Sequence, residues 1–170
     1  TRGVRRSRDS LVVRAVRHQG DRPPRLRDLR VARARERERL ADRRYVDEFD
    51  LDGKLVARVD RMGPLNEPWG LALAPSGFGR FAGRLLVGNF GSGRVNAYVR
   101  RANGWSFDGQ LPDRAGKPLT VNGLWGISFG NGGMAGPKAV LFFAAGPHRW
   151  LGATELAVHG LFGSISLADR

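Results

Sequence analysis

The chain has 170 residues, with 29 Lys and Arg against 16 Asp and Glu, 24 Gly and no Cys. Such a length suits one domain with a sizeable core, or part of a larger one. Without Cys there is no disulfide scaffold and no Cys-ligated metal site, and no stretch approaches the ~18 apolar residues of a membrane-spanning helix.

Charge is distributed unevenly. Residues 1–44 hold 16 Arg and 6 acids, a net of +10, while residues 45–170 carry only +3. Glycine runs the other way, with 2 in the first segment and 22 in the second. A boundary therefore falls near Arg44-Tyr45, dividing an Arg-rich segment, 1–44, from the remainder, 45–170. Leu11-Val12-Val13 is too short for the apolar region of a signal peptide, so none is read here. Leu26 to Arg44 lacks Gly and Pro, and Arg35–Glu38 and Glu36–Arg39 stand at helical i,i+3 spacing. Few apolar residues are available to offset an ordering cost of ~1–2 kcal/mol per residue, so 1–44 reads as disordered or weakly helical. An arginine arm on nucleic acid is the weaker alternative. No aromatic residue precedes Tyr45 to stack on bases, and no recognition motif accompanies the arginines.

From Tyr45 onward, short β runs alternate with glycine turns. Residues 45–49 and 54–59 flank Leu51-Asp52-Gly53, a hairpin signal. Next come Trp69-Gly70-Leu71-Ala72-Leu73-Ala74, a glycine loop, and Leu85-Leu86-Val87-Gly88-Asn89. Residues 94–100 and 105–111 flank a second hairpin at Asn103-Gly104, with Val95, Ala97 and Val99 alternating along one face. The first pair of runs then recurs as Leu124-Trp125-Gly126-Ile127-Ser128-Phe129 and Val140-Leu141-Phe142-Phe143-Ala144-Ala145. The two Trp-Gly pairs lie 56 residues apart.

Repeats of about 40–50 residues built of short strands, lengthened by insertions, are the pattern of propeller blades. Strands are expected at 69–74, 84–89, 94–100 and 105–111, then 124–129, 139–145 and 161–167, preceded by a half unit at 45–59. The expected fold class is all-β: a partial β-propeller of about two and a half four-stranded antiparallel blades, after a basic, poorly ordered or partly helical N-terminal segment. A closed propeller needs about four blades or more. The chain is thus expected to be the C-terminal part of a longer propeller, or an open stack. Its uncovered faces would present Leu71, Leu73, Leu86, Phe129, Leu141 and Phe143, and would tend to self-associate.

The stretches GPLNEPWGLALAPSGFGRFAGRLLVGNFGSGRVNAY (63–98), NGLWGISFGNGG (122–133) and FFAAGP…HGLFGSI (142–165) resemble a family of uncharacterised, exported bacterial β-propellers. Some of its members carry PEP-CTERM sorting tails, and the family is similar in architecture to NHL-type propellers. The resemblance covers about residues 45–167. It implies an extracytoplasmic protein of six or so blades with no assigned activity. HRWLGATELAVH (148–159) departs from the family, which is usually shorter and acidic at this loop.

Few residues point to chemistry. His148, Glu155 and His159 have no metalloprotease spacing and read as solvated loop residues rather than zinc ligands. Gly91-Ser92-Gly93 and Gly163-Ser164 lack a nucleophile-elbow pattern, and GNGGMAG (130–136) lacks the Lys-Ser/Thr of a phosphate loop. Trp69 and Trp125 open the inner strand of each unit. They rim a channel beside Asn66, Glu67 and Asn122 as a polar-aromatic ligand site, or they wedge neighbouring blades together. Asn89 either lines that channel or caps the turn before Gly91. No catalytic residue, metal ligand or cofactor is expected. The partner is an unknown ligand or protein. Two functions follow: a scaffold or ligand-binding module without catalysis, or a truncated metal-dependent, lactonase-like propeller hydrolase. Fold alone does not choose between them.

Overall fold

The structure, a computed structural model, describes residues 12–15, 44–61, 63–146, 148–151, 154–157 and 159–167. It is all-β, and every strand pairing is antiparallel. The strands in chain order are β1 (Val12–Ala15), β2 (Tyr45–Phe49), β3 (Leu55–Arg61), β4 (Pro68–Leu73), β5 (Leu85–Asn89) and β6 (Val95–Arg101). They continue with β7 (Gly104–Gln110), β8 (Leu124–Phe129), β9 (Leu141–Ala145), β10 (His148–Leu151), β11 (Thr154–Ala157) and β12 (Leu161–Ile165). A single 3₁₀ turn, Gly79–Phe81, is the helical element among the described residues, and no helix there is long and apolar enough to cross a membrane.

Three sheets carry the architecture. The first has the order β1-β2-β3, the second β4-β5-β6-β7 and the third β8-β9-β12, with β10-β11 a separate hairpin between β9 and β12. The second sheet is the four-stranded meander expected over 69–111, with β4 at one edge and β7 at the other. The third follows the expected 124–129, 139–145 and 161–167. The divergent loop at 148–159 forms the β10-β11 hairpin.

Both faces of the second sheet are covered, which is why β5 reads as an unbroken apolar run rather than an alternation. Leu85 and Val87 of β5 and Tyr98 of β6 join Val46, Val59 and Leu65 in a core against the first sheet. On the other face, Leu86, Val95 and Ala97 join Leu124, Ile127 and Leu141 of the third sheet, and Phe78 and Phe81 close that core. The inter-sheet contacts run in order: β1 packs on β4, β4 and β5 on β8, and β3 on β7.

Some expectations change here. The half unit at 45–59 is a three-stranded sheet, because Val12–Ala15 pairs with β2 in the register Val12↔Phe49 to Ala15↔Val46. A strand thus lies inside the segment read as disordered or helical. Four residues gain order by satisfying the backbone edge of β2, a non-local partner that composition does not reveal. The helix expected within 26–44 lies, apart from Arg44, outside the described residues. Of the apolar residues expected on open faces, Leu86 and Leu141 are fully buried, and Leu71, Phe129 and Phe143 pack against the two cores. Leu73 alone of that set is well exposed, at 67%.

Candidate functional site

The second and third sheets repeat one another residue for residue at their first two strands. Leu73 pairs with Leu85 and Phe129 with Leu141; Pro68 pairs with Asn89 and Leu124 with Ala145. Every one of these partners lies 56 positions from its counterpart. Even the irregularity recurs, since the register slips at Pro68–Gly70 and again at Leu124–Ile127. Each slip contains a Trp-Gly pair. A bulge re-aims the side chain at its extra residue, and both indoles emerge partly into solvent, Trp69 at 45% and Trp125 at 42% exposure.

The backbone before each tryptophan is equally repeated. Phe90 N–H donates to the Glu67 carbonyl at 2.9 Å, and Gly146 N–H donates to the Gly123 carbonyl at 2.9 Å. Glu67 and Gly123 occupy the same site, and both have positive φ, 52° and 66°. For a residue with a Cβ this conformation costs ~1–2 kcal/mol, so Glu67 stands where glycine is the unstrained choice. Beside the tryptophans the units differ. The Trp69 ring tilts against Phe90, with centroids 6.1 Å apart, whereas Trp125 lies across Gly146, where a Cβ would come within 2.8 Å of the indole. The two rims adjoin, because a Cβ at Gly70 would stand 2.7 Å from the Trp125 carbonyl oxygen.

Asn89 does not line this surface. It is fully buried; its amide donates to the carbonyls of Val87 and Arg94, each at 3.1 Å, and its Oδ1 accepts the Asn66 N–H at 2.8 Å. With Gly93 N–H donating to the Asn89 carbonyl at 2.8 Å, Asn89 ties the turn at 90–93 to the strand before it. Its role is the turn-capping alternative. Asn66 is bound into the same network by its backbone, and Gly91 N–H donates to its carbonyl at 3.2 Å. Glu67, Asn122 and the two tryptophans are exposed, so the structure brings four of the six candidates to the surface and makes Asn89 and the Asn66 backbone their support. Phe90, which the sequence reading left out, belongs with them. Its signal was the alignment of Phe90 with Gly146 at the 56-residue offset.

Two polar clusters join the first and second sheets. Glu48, buried in β2, accepts hydrogen bonds from the Arg100 guanidinium and the Trp105 indole N–H. Tyr98 O–H donates to Asp60 at 2.7 Å. Burial, and next the hydrogen bond to Asp60 and that carboxylate's charge, hold the Tyr98 hydroxyl well above its usual range; the Asn96 amide pulls weakly the other way. Among the described residues, no group of three His, Asp or Glu is placed to hold a metal ion. His159 is exposed, and the side chains of His148 and Glu155 lie outside the described set.

No protein-family model matches the chain, and no solved structure does. Similarity is found instead to three uncharacterised proteins of Acanthamoeba polyphaga mimivirus. Two are 39% identical over 84 residues, 49% of this chain and 22% and 20% of their own lengths. A third is 32% identical over 105 residues, 62% of this chain and 19% of its own length. The chain therefore spans about a fifth of the length of the curated relatives it matches. These relatives are viral, which overturns the resemblance to exported bacterial propellers. That resemblance rested on the stretches at 63–98, 122–133 and 142–165, rich in glycine turns and short apolar runs that repeats of short strands share. The expectation of export had no other support.

Proposed function

We propose that the chain is a non-catalytic, propeller-type scaffold whose tryptophan rim binds a saccharide. The observation that carries this reading is the pair of half-exposed indoles at twin bulges, Trp69 and Trp125, beside Glu67 and Asn122. An indole presents a flat apolar face with a polar edge. A pyranose ring offers a matching flat face of C–H groups, and its hydroxyls reach the flanking carboxylate and amide. The propeller reading is supported by the 56-residue repeat and by the order of contact. Edge strands β1, β4 and β8 follow one another along one side of the stack, and β3 packs on β7 at the other.

Titration of the chain with a panel of neutral oligosaccharides, followed by tryptophan emission, tests this. A saturable change with at least one sugar, lost in the Trp69→Ala/Trp125→Ala double variant, is expected; no saturable change across the panel would refute it. The lactonase-like alternative draws on one observation, the strained Glu67, because strain of this kind clusters at active sites. Lactone hydrolysis that depends on added calcium and disappears in Glu67→Gln would favour that alternative.

A further inference from the structure

A second surface is marked out by the repeat itself, independently of the ligand reading. We propose that the outer face of the third sheet is the docking surface for a further unit of the same repeat, carried on the same polypeptide.

Gly126, Ser128, Phe142 and Ala144 stand 56 positions after Gly70, Ala72, Leu86 and Gly88. The earlier four form the face of the second sheet that the third sheet covers. Leu86 is fully buried there, a Cβ at Gly88 would lie 3.1 Å from Leu124 Cδ2, and one at Gly70 would lie 2.8 Å from the Ile127 backbone nitrogen. Glycine at position 70 is thus required by the passage of β8. At Gly126 the same residue type recurs, yet a Cβ there would meet nothing within 4 Å. Around it, Phe142 and Phe162 stack in near-parallel planes 5.9 Å apart, with Phe162 73% exposed and Met134 fully so. The face is built like its covered counterpart, and the described residues that line it, Ser128, Met134, Ala135, Gly136, Phe142 and Phe162 among them, carry no charge that docking would have to desolvate.

The occupant is specified by that counterpart. It is a sheet whose edge strand passes its backbone over Gly126, as β8 passes over Gly70, and whose aliphatic side chains meet Phe142. Among the described residues, a second copy of this chain has no such surface to spare. Its third sheet already uses the corresponding face, and the outer side of its first sheet carries the Arg58–Asp47 ion pair and Tyr45. The relatives extend far beyond the matched region, which leaves length for further units.

The pairings Leu85↔Tyr98 and Leu141↔Ile165 make Ile165 the counterpart of Tyr98, and hence Leu167 that of Arg100. An extended chain of residues 1–167 followed by a copy of residues 101–167 therefore supplies the third sheet with a counterpart of β7 and adds one further unit. Since the sequence has no Cys, Ser128→Cys places a single thiol on the face, and its reaction with Ellman's reagent reports cover. Labelling of this thiol is expected to slow about tenfold or more in the extended chain, because opening must then precede reaction. A thiol at the copied position, whose face stays open, should label rapidly, and Gly126→Val should restore rapid labelling at the original one. Rapid labelling at the original position in the unaltered extended chain would overturn the proposal. So would protection at both positions at a dilution where the extended chain sediments as a monomer, since the cover would then not be the added unit.

Discussion

At Glu67 the side chain and the backbone disagree. Its φ of 52° is one that glycine adopts freely, and the repeat places Gly123 at the equivalent site. Glu67→Gly is expected to raise the unfolding free energy by up to about 1 kcal/mol, the left-handed strain being partly offset by the greater freedom of glycine when unfolded. Urea denaturation measures this, and a loss of stability would show that the Glu67 side chain makes a compensating contact. Tyr98 is a second residue with a distinct signature. Below about pH 10 both the folded and the unfolded chain keep its proton, and its contribution to stability is complete. Above that, the unfolded chain releases the proton while the folded chain retains it. Folding then takes up protons, and stability falls by up to about 1.4 kcal/mol per pH unit until the raised folded value is passed. Denaturation midpoints at about pH 8 and pH 11 should differ more in the parent than in Tyr98→Phe; an equal fall in the two proteins would remove Tyr98 as the cause.

At the level of elements, Gly70 and Gly126 give a matched pair of substitutions with opposite outcomes. The Cβ of Gly70→Ala would be forced against the β8 backbone, so β4 and β8 must separate, at a cost of about 3 kcal/mol. The equivalent Gly126→Ala projects into open space and should leave the melting temperature unchanged. Equal effects in thermal melts would mean that β4 and β8 do not approach as closely as this. Strands β2 to β9 and β12 were legible in the sequence because glycine turns and apolar runs are local signals. The repeat was legible because a Trp-Gly pair, an apolar run, a glycine loop and a second apolar run recur in the same order at a 56-residue offset. What escaped the reading depends on partners distant in sequence. Val12–Ala15 becomes a strand only through β2, and Glu48 is buried only because Arg100 and Trp105 meet it from the neighbouring sheet. Asn89 looked the same as a channel residue and as a turn cap until its three hydrogen-bond partners were placed. Trp69 and Trp125 stood out in the sequence by their recurrence, but a two-residue pattern does not encode which way a bulge turns the ring.

For the molecule as a whole, burial is asymmetric. The second sheet is enclosed on both faces, while the third is enclosed on one and presents Phe142, Phe162 and Met134 on the other. Burying a side chain the size of Phe is worth about 1.5–3 kcal/mol, so a free face of this kind attracts other apolar surface. Most of the positive charge belongs to residues 1–44, and the described residues lining the face are uncharged, so repulsion between these faces is weak at physiological salt. The isolated chain should therefore associate reversibly as its concentration rises, through contacts less specific than those of a docked repeat unit. Phe162→Ser is the informative variant. The ring is mostly exposed and its loss removes little folded-state packing, so thermal stability should hold while association weakens. Sedimentation velocity across a concentration series distinguishes the outcomes. A parent chain that stays monomeric at every concentration, or a Phe162→Ser variant that associates as strongly, would mean that this face does not drive association.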